Sequence, residues 1–230
     1  MINNVRNTVM YILNKDNNGY LTPDEFNAFA RQAQLDVLED VFYQYNKWLN
    51  KRLTKQAFSG AADMVKQLSE VIDRFTVQNP LTYSAGIFQL PSDVYLAIDV
   101  VNSGKVVERV EQSKATYLLN SGFNAPTVYY PAYTQSDSTI TVYPSSIVSN
   151  VSAIYVRYPL DPKWTYYTDN QTGAAMFNLG APDYQDFELP YNYSNDLILR
   201  ILKYAGMNIR ETDIISFANN EESINTNQEQ

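Results

Sequence analysis

Apolar residues recur at helical spacing through most of the first eighty residues. Val5, Val9, Ile12 and Leu13 lie near one side of a short helix. Two longer stripes at the spacing i, i+3, i+4 follow it. The first comprises Phe26, Phe29, Ala30, Ala33, Leu35, Val37, Leu38, Val41, Phe42, Tyr45, Trp48 and Leu49, and the second comprises Ala61, Met64, Val65, Leu68, Val71, Ile72 and Phe75. Because Asn79-Pro80 is a strong break, we predict an N-terminal helical bundle over residues 1–80.

The pattern changes to strict alternation in the next eighty residues. In "STITVYP", Ile140 and Val142 share one face, and in "AIYVRYP" the residues Ile154 and Val156 oppose Tyr155. Proline ends such strands because it lacks the N–H that the ladder needs. We predict a hairpin turn at residues 135–138 and a short helix at residues 113–119. We therefore predict an inserted antiparallel β-sheet or sandwich over 81–160.

The last seventy residues are less regular. Residues 161–190 have many turn formers and weak periodicity, which predicts an extended loop that lies on a partner. Ser194 can cap a helix through Leu197, Ile201 and Ala205, so that 191–218 form C-terminal helices packing on the helical region. The polar residues 219–230 read as a flexible tail. The predicted fold class is α+β.

Composition removes several kinds of chemistry. The 230 residues contain no Cys and no His, which excludes disulfides, thiol nucleophiles, Ser-His-Asp triads and zinc sites built on those residues. The formal charge is −8, from 17 basic and 25 acidic residues, and no basic patch predicts nucleic-acid binding by counterion release. No run approaches the ~18 apolar residues of a membrane span.

The stretch "NKDNNGYLTPDEF" is the strongest candidate site. Its spacing matches the EF-hand calcium loop except that Asn replaces the first Asp. Gly19 stands where the chain must turn, and Tyr20 would ligate through its carbonyl. The possible cofactor is therefore Ca²⁺, held by Asn14, Asp16, Asn18, Tyr20, Thr22 and Glu25.

The same residues also form an ordinary helix start. Thr22 can be the N-cap, Pro23 the first helical residue, and Glu25 the partner that closes a capping box. Only Asp16 and Glu25 would bring charge to an ion, so that any calcium site would be weak.

Several segments together resemble a known family. They are the N-terminal helices with "NKDNNGYLTPDEFN", then "QLPSDVY", "APTVYYP", "ITVYP", "YVRYP" and "ELPYNYSNDLILRILKYAGMNIRE". Their order is similar to that of virion ring or head-to-tail adaptor proteins of short-tailed phages, in particular the crAss-like phages of gut Bacteroidetes.

This resemblance implies a structural role without catalysis. The expected molecule is a cyclic homo-oligomer, of twelve copies, that docks on a portal protein or another ring or tail protein in the virion, after synthesis in the bacterial cytoplasm. DNA would pass through its centre without sequence-specific binding, and the ring would mediate assembly and genome ejection. Aromatic residues of the long loop, Trp164, Tyr166 and Tyr167, are the predicted contact anchors, with packing inside the subunit as the alternative.

Two other functions fit parts of the sequence. A calcium-dependent surface-binding module would use the EF-hand-like loop and the Tyr-rich strands. A tail-associated carboxylate glycosidase would need two acids flanking a sugar, and the candidates are Asp93, Asp99, Glu108 and Glu111. None of these four acids is set apart by its sequence context.

Overall fold

The protein has a mixed α+β fold, seen in a computed structural model that describes residues 1–14, 21–53, 61–171 and 173–209. These residues form five α-helices: α1 (Ile2–Asn14), α2 (Pro23–Leu53), α3 (Ala61–Asp73), α4 (Gln112–Leu119) and α5 (Ser194–Ile209). The chain divides into two compact units. A helical unit comprises Met1–Val71 and Pro159–Gln230, and a sheet unit comprises Ile72–Tyr158.

The core of the helical unit is built from the apolar stripes of its helices. On α1 the buried side chains are Ile2, Val5, Val9 and Leu13, and α5 packs against both α1 and α2 through Leu197, Ile201, Leu202 and Ala205. In the first half of α2 the predicted stripe is buried at Phe26, Ala30, Ala33, Val37, Leu38 and Val41, and it is half-buried at Phe29 and Leu35. Beyond Val41 the stripe is only half-buried, and it includes Tyr45 and Trp48.

Ten strands account for the β structure of the described residues. They are β1 (Thr76–Pro80), β2 (Thr82–Ser84), β3 (Ile87–Gln89), β4 (Val94–Asn102), β5 (Lys105–Arg109), β6 (Ala132–Ser136), β7 (Thr139–Tyr143), β8 (Val151–Arg157), β9 (Tyr166–Thr168) and β10 (Ala175–Phe177). The first strand begins inside the segment 1–80 that the sequence assigns to helices. The predicted helix therefore ends at Asp73, before Asn79-Pro80.

The sheet unit contains one eight-stranded sheet in the order β1-β8-β4-β5-β6-β7-β3-β2. Its two edge strands, β1 and β2, are consecutive in the chain with only Leu81 between them, so the sheet is nearly closed. The predicted turn is confirmed, because Asp137 and Ser138 join β6 to β7 as a two-residue loop with Asp137 at φ 50°. The strands form one sheet and not the two stacked sheets of a sandwich.

The prediction of a purely antiparallel sheet is wrong at one pairing. Strand β6 runs parallel to β5, with Ala132 opposite Glu108 and Tyr133 opposite Arg109. Parallel neighbours need a crossover connection, and the segment containing α4 supplies it. The predicted short helix over 113–119 is confirmed as α4.

The core of the sheet unit is a single apolar cluster. Ile140 and Val142 of β7 point into it, as their alternation predicts, together with Tyr155 of β8. Its other buried members are Phe88, Leu90, Val100, Val107, Tyr133, Ile147, Val151 and Ala153. The Tyr155 hydroxyl donates a hydrogen bond to Asp93 (3.1 Å) and accepts one from the Asn79 amide (2.8 Å), which satisfies the polar end of a buried ring.

The segment from 159 to 193 is attached to the helices of its own unit. The Asn27 side chain of α2 accepts a hydrogen bond from Trp164 N–H (2.8 Å) and donates one to Trp164 C=O (3.3 Å). Two helical turns further along α2, the Gln34 side chain donates a hydrogen bond to Leu160 C=O (2.9 Å) and accepts one from Glu188 N–H (3.0 Å). The segment 161–190, predicted as an extended loop, contains the β9–β10 hairpin and lies on α2 of the same chain.

No helix in the described parts of the chain has the combination of length and apolar character that a membrane crossing requires.

Candidate interaction surface

The connection between β5 and β6 presents the most unusual surface of the sheet unit. We call residues 115–131 the arm; it contains most of α4 and the turns that lead to β6. Both of its ends are fixed to the sheet. At the start, Ala115 is buried, and at the end Glu108 N–H donates to Pro131 C=O (3.2 Å) and Val110 N–H donates to Tyr133 C=O (2.8 Å).

Large apolar side chains of the arm point into solvent. Phe123 is fully exposed, at 101%, Tyr130 is 84% exposed and Tyr117 is 81% exposed. The other exposed members are Leu119, Val128 and Tyr129. Single exposed apolar residues are common on protein surfaces, whereas a contiguous group usually marks an interaction site.

Local hydrogen bonds fix the shape of the arm. Thr127 and Tyr130 exchange backbone hydrogen bonds of 3.1 and 3.2 Å, which makes a tight turn around Val128 and Tyr129. Asn124 N–H donates to the Ser121 hydroxyl (3.2 Å), next to Phe123. The short helix α4 and the turns that follow it therefore hold the exposed rings in place. A bound partner would not have to order a long loop.

The arm also lacks charge. Residues 115–136 contain no Asp, Glu, Lys or Arg, although charged residues make up 18% of the chain. Depletion of charged residues and enrichment of Tyr and Phe are the compositional signs of the centre of a protein–protein interface.

A mixed-charge groove of ≈ 540 Å³ runs along the foot of the arm. Glu111 precedes α4, accepts backbone hydrogen bonds from Lys114 and Ala115, and pairs with the Lys114 ammonium at 3.0 Å. The groove is lined by Glu108, Arg109, Val110, Glu111, Lys114, Tyr117, Leu118, Ser121 and Asn124. Its charges alternate in sign, so the groove has no net preference for an anion or a cation.

Beneath this region, Tyr133 is buried at the start of β6. Burial raises the pKa of its phenol, the Arg109 guanidinium partly opposes that rise, and Asp99 adds to it. The Tyr133 phenol is therefore neutral at neutral pH, and the residue belongs to the core of the sheet unit.

The structure describes only part of the predicted calcium loop. Asn14 is the last residue of α1, whereas Asp16, Asn18 and Tyr20 lie outside the described residues. Glu25 closes a capping box with Thr22: its carboxylate accepts from Thr22 N–H (2.9 Å) and from the Thr22 hydroxyl (2.8 Å), and Glu25 N–H donates to Thr22 Oγ1 (3.3 Å). Thr22 and Glu25 therefore make the helix start that the sequence offered as the alternative.

The four acids considered for hydrolysis have ordinary surroundings. Asp93 accepts a hydrogen bond from the Tyr155 hydroxyl, and Glu111 forms an ion pair with Lys114. Asp99 lies on β4 and Glu108 on β5. Glu108 and Glu111 both line the groove beside the arm.

For Trp164 the structure shows packing inside the subunit, the alternative that the sequence left open. Its ring is buried, with the Arg6 guanidinium 3.7 Å from the ring centroid and its Nε1–H donating to Asn3 (3.0 Å). Tyr166 and Phe177 stack on it at 5.7 and 5.9 Å. Trp164 is therefore a core residue of the helical unit, whereas Tyr166 and Tyr167 remain exposed on β9.

The arm itself was missed as a site in the sequence. In the sequence, its "APTVYYP" motif contributes only to the resemblance to a known family. The signal that the sequence does contain is a charge-free run of 22 residues with five aromatic residues, of which Tyr117, Phe123, Tyr129 and Tyr130 are exposed. A scan against protein-family models and a search of curated proteins both gave no match to this chain.

Proposed function

We propose that this chain is a structural ring subunit of a phage head-to-tail connector, a non-enzymatic component that lines the DNA passage between portal and tail. The observation that carries the proposal is the arm, an uncharged and locally ordered surface that exposes four aromatic rings. Such a surface is costly to leave in water and is typical of a protein that works in an assembly. The resemblance of the sequence to virion ring proteins of crAss-like phages supplies the kind of assembly.

The charge of the chain agrees with passage of DNA through the assembly. A lumen that binds phosphate tightly would slow the duplex, whereas an acidic wall repels it. The chain has a formal charge of −8, and twelve copies would multiply that field. In this proposal the DNA contacts are transient and independent of sequence.

The test is the oligomeric state of the purified protein, alone and mixed with the portal protein of the same phage. Native mass spectrometry and negative-stain microscopy are expected to show closed rings, of twelve copies, or rings seated on the portal. Protein that stays monomeric at high micromolar concentration, both alone and with portal, would contradict the proposal.

A calcium-dependent binding module is the second candidate. The observation that favours it is that α1 ends at Asn14 and α2 begins at Pro23, so that a helix lies on each side of the EF-hand-like sequence. In this reading the N-terminal helices form a bundle braced by the ion. Titration with terbium should give luminescence that Glu25→Gln abolishes, and a silent titration of the wild-type protein would remove the candidate.

A further inference from the structure

The arm leaves open which molecule covers it. An intact ring has two kinds of contact, one between neighbouring copies and one with the proteins above and below. Two properties of the sheet unit bear on the choice between them: the area that the arm presents and the charge around it.

The area of the arm matches one side of a stable interface. A fully buried aromatic side chain contributes about 150–250 Å². With the exposures found for Tyr117, Phe123, Tyr129 and Tyr130, the four rings together present roughly 500–850 Å². A standard interface buries about 800 Å² on each partner, so the arm with its rim is large enough to hold one neighbour.

The charge of the sheet unit favours another copy of the same chain. Residues 72–158 contain six acidic and five basic residues, so this unit has a formal charge of −1 out of the chain's −8. Identical copies repel each other wherever their charge is concentrated. The sheet unit is the part of the chain at which two copies can meet with little repulsion.

We propose that the arm of one copy docks on a second copy of this chain, as the lateral contact of the ring, with Phe123 as the central knob. This inference rests on the proposed function for its geometry. A closed ring requires heterologous contacts, in which each subunit uses two different faces. The arm therefore meets a different face of the neighbour and not the neighbour's own arm.

The variants Phe123→Ser and Tyr130→Ser test the contact. Both side chains are exposed in the isolated chain, so the subunit should keep its fold, measured by far-ultraviolet circular dichroism. Truncating a central interface residue should weaken association by about 30-fold or more, measured by analytical ultracentrifugation and native mass spectrometry. The matched control is Tyr11→Ser, an exposed tyrosine on α1, which should assemble like the wild type.

The outcomes separate the inference from the proposed function. Rings in the wild type that are lost in both arm variants support both. Rings that persist in both arm variants overturn the inference and leave the proposed function standing. The same holds if the variants form rings but no longer bind the portal. A wild type that never assembles overturns both.

The absence of cysteine from the chain allows a test of the geometry. Phe123→Cys introduces the single thiol of the molecule. In a heterologous ring, oxidation should give no disulfide between two copies within a ring, because the two thiols lie on different interfaces; the oxidation is run at a protein concentration at which native mass spectrometry shows that this variant still forms rings. Efficient formation of covalent dimers under oxidation would show an isologous contact and would overturn the heterologous arrangement.

Discussion

The side chains of Asn27 and Gln34 on α2 form the hydrogen bonds that a neighbouring strand would otherwise offer to the backbone. Each side-chain amide donates to a carbonyl and accepts from an N–H of the segment after Pro159, and Gln34 is almost completely buried. The two residues are seven apart, so they lie on the same face of the helix. Because buried backbone groups need partners, these amides hold an irregular segment against α2 without requiring a strand there.

Replacing Gln34 by Ala should therefore destabilise the protein. The change leaves Leu160 C=O and Glu188 N–H without their partner, and a buried unsatisfied group costs about 1–3 kcal/mol. We expect the free energy of unfolding to fall by about 2 kcal/mol in urea titrations. Gln32→Ala is the matched control, since Gln32 is exposed and bonds only to Asp36 on its own helix. Equal effects of the two variants would contradict this role of Gln34.

Asp186 is the second residue that joins distant parts of the helical unit. One carboxylate oxygen accepts from the Met1 amino group (2.6 Å) and the other from the Ile2 N–H (2.7 Å). Burial alone would raise the pKa of this carboxyl. The hydrogen bonds from the amino group and from the N–H groups of Ile2 and Phe187 outweigh burial, so the pKa lies below its ordinary value.

The lowered pKa of Asp186 gives a dependence on pH with a defined sign. In the unfolded chain this carboxyl titrates near pH 3.9, and in the folded chain it titrates lower. Its contribution to stability is therefore complete above the unfolded pKa and is lost as the pH falls through the folded pKa. Between pH 5 and pH 3, unfolding by urea should show a shallower loss of stability for Asp186→Asn than for the wild type. Asp161→Asn, which removes an exposed carboxylate that pairs with Arg31, is the matched control for the loss of one acidic group, and equal changes of slope in the two variants would contradict this role of Asp186.

At the scale of elements, the start of α2 shows how one short segment satisfies two patterns. A capping box and the end of an EF-hand loop both place Thr and Glu three residues apart. The hydrogen bonds between Thr22 and Glu25 show that the capping box is formed. The sequence alone could not rank the two readings, because each needs the same residues at the same spacing.

Two substitutions separate capping from metal binding. In EDTA, Thr22→Ala should lower the free energy of unfolding by about 1 kcal/mol, since it removes the N-cap oxygen. Glu25→Gln should change it by less than about 0.5 kcal/mol, because Gln also closes a capping box. Thermal unfolding followed by circular dichroism measures both. A large loss for Glu25→Gln in EDTA would show that the negative charge of Glu25 has a role beyond the capping box.

The elements that the sequence predicted are those with local signals. The stripes of α1 and α5 and the alternation of β7 each follow from a few consecutive residues, and the structure contains all three. The parallel β5–β6 pairing joins segments more than twenty residues apart in sequence, and no local pattern encodes it. Trp164 shows the same limit, because its burial depends on Arg6 and on Asn3, far away in the chain.

At the scale of the whole molecule, charge and exposed apolar surface are distributed unequally. The sheet unit is nearly neutral and carries the arm, whereas the remaining residues have a formal charge of −7. The sequence contained this information as composition. The sequence did not show that residues 115–131 lie on the surface. An uncharged aromatic run is equally typical of a core segment, and the arrangement of the neighbouring strands is needed to tell the two apart.

This distribution predicts how assembly responds to salt. An uncharged contact does not weaken when ions are added, and screening reduces the repulsion between acidic copies, since the Debye length falls from about 10 Å at 0.1 M salt to about 3 Å at 1 M. The fraction of protein in rings should therefore stay constant or rise between 50 and 500 mM NaCl, measured by mass photometry. Phe123→Ser should remain monomeric across the same range. Rings that dissociate as salt increases would mean that ion pairs, and not the arm, hold the copies together.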